Sequence, residues 1–106
     1  MKTYTFVVYT KGPDRSQDSI TSSVIRTEHL AHLDKIAADG LPDIAGAFHD
    51  DGNWPGLMIF NSADTSMVKS LVESDPAVKA GRHSYELHSV FYSGISIKMI
   101  VKPLYI

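Results

Sequence analysis

Residues 18–40, DSITSSVIRTEHLAHLDKIAADG, decide the fold class. Asp18 or Ser19 can offer a side-chain oxygen to the free N–H groups of a first helical turn, and Gly40 supplies the stop. At about 100° per residue, Ile25, His29, Leu33 and Ile36 fall on one side, and Leu30 and Ala37 widen the stripe. Glu28, Asp34, Lys35 and Ala38 lie away from it. A helix with one apolar stripe lies on one sheet, so strands are expected on both sides of it in the chain.

Working outward, residues 4–10 (YTFVVYT) are aromatic and β-branched, and Lys11-Gly12-Pro13-Asp14 stops them. This predicts a strand and a turn. The strand is apolar almost throughout, which predicts cover on both faces. Residues 41–48 (LPDIAGAF) carry a weaker strand signal, with Pro42 marking a sheet edge or the start of the strand. Residues 49–56 are loop chemistry, and residues 57–60 (LMIF) form a short buried strand. A second helix is predicted over 65–74, capped by Asp64 or Thr65, with Val68, Leu71 and Val72 as its stripe. Asp75-Pro76 breaks it, because a proline disfavours a helical residue before it. One further turn at 76–80 is closed by Gly81, and residues 85–92 (YELHSVFY) read as a fourth strand. After Ser93-Gly94, the alternation of Ile95, Ile97, Met99 and Val101 predicts a fifth, half-buried strand.

The order is β-α-β-β-α-β with an extra C-terminal strand. This is the α+β, ferredoxin-like split βαβ plan, with both helices on one face of an antiparallel sheet. The other face, if apolar, needs a cover, and a second copy of the chain is the simplest one. A homodimer is therefore the expected assembly.

Bulk properties narrow the function. Ten basic against twelve acidic residues, a net charge of −2, leave no phosphate-binding stripe, so nucleic acid is not the expected partner. The absence of cysteine excludes disulfides, thiolate metal sites, iron–sulfur clusters and a cysteine nucleophile, and fits a cytoplasmic setting. No apolar run approaches the roughly 20 residues that span a bilayer, and no signal-peptide cleavage pattern is expected. There is no Gly-rich phosphate loop, serine nucleophile elbow or dinucleotide fingerprint, so the reading requires no cofactor. Gly12-Pro13 reads as a turn only.

Three residues can carry chemistry. His29 sits on the apolar stripe where leucine would be the default. Burying it costs free energy unless its ring has a partner, so it is either a satisfied core histidine or a site residue. Arg26, one turn earlier at the edge of the stripe, can hold a carboxylate or phenolate through paired hydrogen bonds, or simply snorkel to water. Asp75 ahead of Pro76 is a standard helix start, yet a carboxylate can also orient a histidine and fix its tautomer. Only the fold plan, with its helices side by side, can bring Asp75 to His29. His29 with His32, and the loop His49-Asp50-Asp51, are weak metal signals, and no metal is expected. Trp54 can serve as a lid over a pocket or as a dimer contact.

The run Arg26-Thr27-Glu28-His29-Leu30-Ala31-His32-Leu33 resembles the YciI-like (YCII-related) pattern of Arg, two residues, His-Leu-Ala and a further Leu. Ala37-Ala38-Asp39-Gly40 is similar to that family's helix end. Ala45-Gly46-Ala47-Phe48 is similar to its second strand, with Ala47 where the family usually has Pro. Asp51-Gly52, Gly56-Leu57-Met58-Ile59-Phe60, Leu71-Val72-Glu73-Ser74-Asp75-Pro76 and Val78-Lys79-Ala80-Gly81 continue the match. The resemblance covers residues 4–92 and leaves 93–106 as an extension of a single domain at 1–106. It implies a dimeric α+β barrel, with His29 and Asp75 as the active-site pair. It names no reaction: most members have no assigned substrate, and one related branch eliminates chloride from a chlorinated hydroxyquinol. Three functions follow. One is a cofactor-free lyase or isomerase acting on a small cyclic or aromatic oxygenated substrate, with His29 as acid or base, Asp75 orienting it and Arg26 and Trp54 binding. The others are a small-ligand binding or sensing module and a structural dimeric domain.

Overall fold

The computed structural model describes residues 2–50 and 52–92. The fifth strand expected at 95–101 lies outside them. The elements are β1 (Lys2–Lys11), α1 (Ser19–Ala38), β2 (Pro42–Ala47), β3 (Gly56–Phe60), α2 (Thr65–Glu73), α3 (Pro76–Lys79) and β4 (His83–Tyr92). The strands form one sheet in the order β2-β3-β1-β4, each neighbour antiparallel to the next. This is the α+β, ferredoxin-like plan expected from the order of elements.

Caps set the helix limits. Asp18 accepts a hydrogen bond from the Thr21 N–H at 2.7 Å, and Asp64 accepts one from Met67 at 3.0 Å. Each satisfies a backbone donor that the first helical turn leaves free. At the far end of α1, Gly40 takes a φ of 70°, a conformation that costs glycine nothing.

Period-two alternation sorts the sheet into two faces. Thr5, Val7 and Tyr9 of β1 are buried against the helices. In register with them, Met58 and Phe60 of β3 join Ile36 of α1 and Val68 and Val72 of α2 to form the core. Phe6 and Val8 point to the opposite face with Leu57 and Ile59, and all four are half-buried. The expectation that β1 is covered on both faces is therefore met on one face only among the described residues.

One close approach positions the site. A Cβ on Gly12 would lie 2.1 Å from the Gly81 carbonyl oxygen, so no larger residue fits there. The Gly12 N–H donates to the Arg82 carbonyl at 2.9 Å, and the Asp14 N–H donates to Gly81 at 2.9 Å. The Gly12-Pro13 turn thus pins the end of β1 to the turn between α3 and β4. At the other edge, Ala47 pairs with Gly56 in the β2–β3 ladder.

Candidate functional site

The site begins as a helix cap. Pro76 opens α3, and Asp75 ahead of it accepts the Ala77 N–H on Oδ1 at 2.8 Å. That leaves Oδ2 for two further donors. His29 Nδ1 lies 2.5 Å from Oδ2, and the Tyr9 hydroxyl donates to it at 3.1 Å. Asp75 is fully buried and His29 only 8% exposed, so a charged group sits in the interior with both oxygens bonded.

The partners fix the tautomer. A carboxylate only accepts, so Nδ1 of His29 donates to it, and in a neutral imidazole this leaves Nε2 as the acceptor on the far side of the ring. The Tyr9 ring meets the His29 ring edge-on, with centroids 5.3 Å apart. On the other side His83 stands at 5.0 Å, nearly perpendicular to His29. Its Nδ1 donates to the Arg82 carbonyl at 3.2 Å, which again leaves Nε2 as the acceptor.

Electrostatics follow from this packing. Burial alone raises the Asp75 carboxyl, but the hydrogen bond from His29, the Ala77 N–H, the His29 charge and the Tyr9 hydroxyl outweigh it and hold Asp75 below the usual carboxylate range. Burial, followed by the Asp75 charge and hydrogen bond, pushes the Tyr9 phenol well above its ordinary value, so Tyr9 stays a neutral donor. Burial and then the His29 charge hold the His83 imidazole below its ordinary 6.5. The result is an ionised Asp75 beside two imidazoles whose Nε2 atoms have no hydrogen-bond partner among the described residues.

Two hollows open onto these rings. One, of about 330 Å³, is lined by His29, Leu33, Ala45, Ala47, Gly56 and His83 among others, and has a largely apolar floor. The second, of about 280 Å³, is lined by Arg15, Ser22, Ser23, Arg26, Arg82 and His83 among others. Arg26, Pro55 and His83 line both, so the hollows adjoin.

The structure brings His29, Asp75 and Arg26 to one place, although 46 residues separate the first two. Trp54 lines neither hollow. It is 52% exposed and leans on Phe48, with ring centroids 5.8 Å apart, while its neighbour Pro55 lines both. His32 turns away from His29 and bonds the Leu71 carbonyl through Nε2 at 2.8 Å. Asp50 is occupied by the Gly52 N–H, and Asp51 lies outside the described residues. Among the described residues, no group of three or more histidines and carboxylates is gathered to hold a metal ion. Sequence reasoning missed Tyr9, His83, Arg15 and Arg82. Tyr9 could have been found: the Thr5-Val7-Tyr9 alternation puts a phenol on the covered face, and a buried hydroxyl needs an acceptor.

Neither a protein-family model nor a curated protein matches this sequence. Solved structures do match. The chain is similar to 5-chloro-2-hydroxyhydroquinone dehydrochlorinase from Burkholderia phenoliruptrix, determined in complex with 2,5-dihydroxybenzoquinone. The TM-score is 0.56 at 22% identity, over 84% of this chain and 93% of that one. The likeness shows a shared fold. Among the described residues no helix is long and apolar enough to cross a membrane.

Proposed function

We propose that this chain is a cofactor-free acid/base enzyme of the YciI-like type, acting on a small cyclic oxygenated substrate by elimination or isomerisation. The observation that carries the proposal is the bond from His29 to the buried Asp75, with the His29 ring on the wall of an open hollow. In this reading His29 Nε2 takes a proton from the substrate, and Asp75 stabilises the imidazolium that forms. The same nitrogen then returns the proton to the product of an isomerisation, or releases it as a leaving group departs in an elimination. Neither reaction requires a change of oxidation state or an external electron carrier. The ring-shaped ligand of the dehydrochlorinase, seated in a protein of this fold, motivates the substrate class.

The reading extends to assembly. Residues 1–106 would form one domain with its core at 4–92, and the apolar face made by Phe6, Val8, Leu57 and Ile59 would meet the same face of a second copy, closing a dimeric α+β barrel. The test is turnover of a panel of hydroxylated and halogenated quinols by wild type, His29→Ala and Asp75→Asn, with products identified. The expected result is loss of at least about 100-fold in His29→Ala. Unchanged turnover in that variant would end the catalytic reading. Recovery of every bound compound intact from the wild type would favour a binding module.

A further inference from the structure

The sequence contains three arginines, Arg15, Arg26 and Arg82, and all three line the 280 Å³ hollow beside the histidines. They come from the loop before α1, from α1 itself and from the turn before β4. The Gly12–Gly81 approach described above joins the first and last of these segments. A chain with net charge −2 thus gathers every guanidinium it has at one spot.

Their hydrogen bonds leave capacity to spare. Arg15 donates one Nη1 bond to the Arg82 carbonyl at 2.6 Å, and Arg82 donates one to the Gln17 side chain at 3.2 Å. Each guanidinium has five N–H donors in a planar fork. Among the described residues, none of the three is in an ion pair with a carboxylate. Among the described residues no carboxylate lines this hollow either; Ser22 and Ser23 add hydroxyls to it. The adjoining hollow differs. Its floor of Ala45, Gly46, Ala47 and Gly56 lacks any side chain larger than a methyl, which suits the flat face of a ring. Its one carboxylate among the lining residues is Asp34.

We propose that Arg15, Arg26 and Arg82 form an oxyanion subsite, so that the ligand is bipartite: a small ring over the β2 floor beside His29, and a carboxylate or phosphate held in the arginine hollow. This rests on the reading that the His29 hollow is the substrate site, and it adds the anionic group that the substrate must carry. His83, on the wall of both hollows, stands where the two halves of such a ligand would join. A carboxylate or phosphate takes paired hydrogen bonds from a guanidinium fork, which gives direction as well as charge.

The experiment measures affinity of the full-length protein for three probes by calorimetry: hydroquinone, 2,5-dihydroxybenzoate and 4-hydroxyphenyl phosphate. The expected result is binding of one or both anionic probes at least about 10-fold tighter than hydroquinone. That advantage should shrink as salt rises from 20 to 300 mM, on the order of the screening expected for charged groups. Arg26→Gln, which removes a guanidinium with no hydrogen bond among the described residues, should weaken binding of the anionic probes several-fold more than that of hydroquinone. Arg15→Gln and Arg82→Gln should do the same, with thermal unfolding reporting whether each variant is folded. A preference for the carboxylate over the phosphate, or the reverse, identifies the anion. Equal affinity for all three probes, or equal loss for neutral and anionic probes in Arg26→Gln, would overturn the subsite. Turnover in His29→Ala is a separate readout, so the subsite can fail while the His29–Asp75 reading stands, and the reverse.

Discussion

The two faces of the sheet come from the same strands and solve opposite problems. On the helix face, Thr5, Val7, Tyr9, Met58 and Phe60 are almost completely buried, and that face also takes in a carboxylate, a phenol and an imidazole. On the other face, Phe6, Val8, Leu57 and Ile59 are apolar and only half-covered, Ile44 is 54% exposed, and the polar pair of Glu86 and His88 (3.0 Å) marks the β4 side. The covered face tolerates polarity because each polar atom has a partner: Asp75 alone satisfies three donors. The uncovered face carries apolar area with no such settlement. Polarity inside the fold therefore marks the candidate site, and apolarity outside it marks the surface proposed to meet a second copy.

The largest effect is expected on the covered face. Asp75→Ala removes the α3 cap and leaves the Tyr9 hydroxyl and the His29 N–H without their acceptor in the interior. A loss of about 3–5 kcal/mol in chemical denaturation is expected. A loss below about 1 kcal/mol would mean that the network does not hold the helix face together.

The uncovered face should respond in assembly instead. Ile59→Glu puts a charge in its centre without touching the helix face, so the mass seen by light scattering should halve while the unfolding transition stays cooperative. A wild-type protein that is already monomeric at micromolar concentration would break this side of the comparison.

Acid should act through the covered face. The His83 imidazole is held below its ordinary 6.5 in the folded protein, so the unfolded chain binds the extra proton more readily and stability falls as pH drops through and below 6.5. Asp75 is held below its ordinary 3.8, so a second loss sets in as pH drops below that value. Stability measured against pH should show both declines. His83→Gln should flatten the upper one and Asp75→Asn the lower one. A profile unchanged by either substitution would contradict the assigned environments.

The smallest effect is expected at Trp54, which leans on Phe48 and lines neither hollow. Trp54→Ala should cost less than about 1 kcal/mol and leave probe affinity at the arginine hollow unchanged. A large loss of affinity would return Trp54 to the site.

What the amino-acid sequence determined by itself is local. The strand at residues 4–10, the helix at 18–39 with its Asp18 cap and Gly40 stop, and the Asp75-Pro76 helix start were all legible, because caps, turns and apolar periods act over a few residues of backbone. Their order was enough for the ferredoxin-like plan, since few antiparallel arrangements satisfy it. His29 was legible as a polar residue on an apolar stripe, but its partner was not. The contacts that make the site span 46 residues from His29 to Asp75, 66 from Tyr9 to Asp75 and 67 from Arg15 to Arg82. No local propensity encodes such distances. They are decided by strand register and by the glycine contact between residues 12 and 81, which only the packed structure contains.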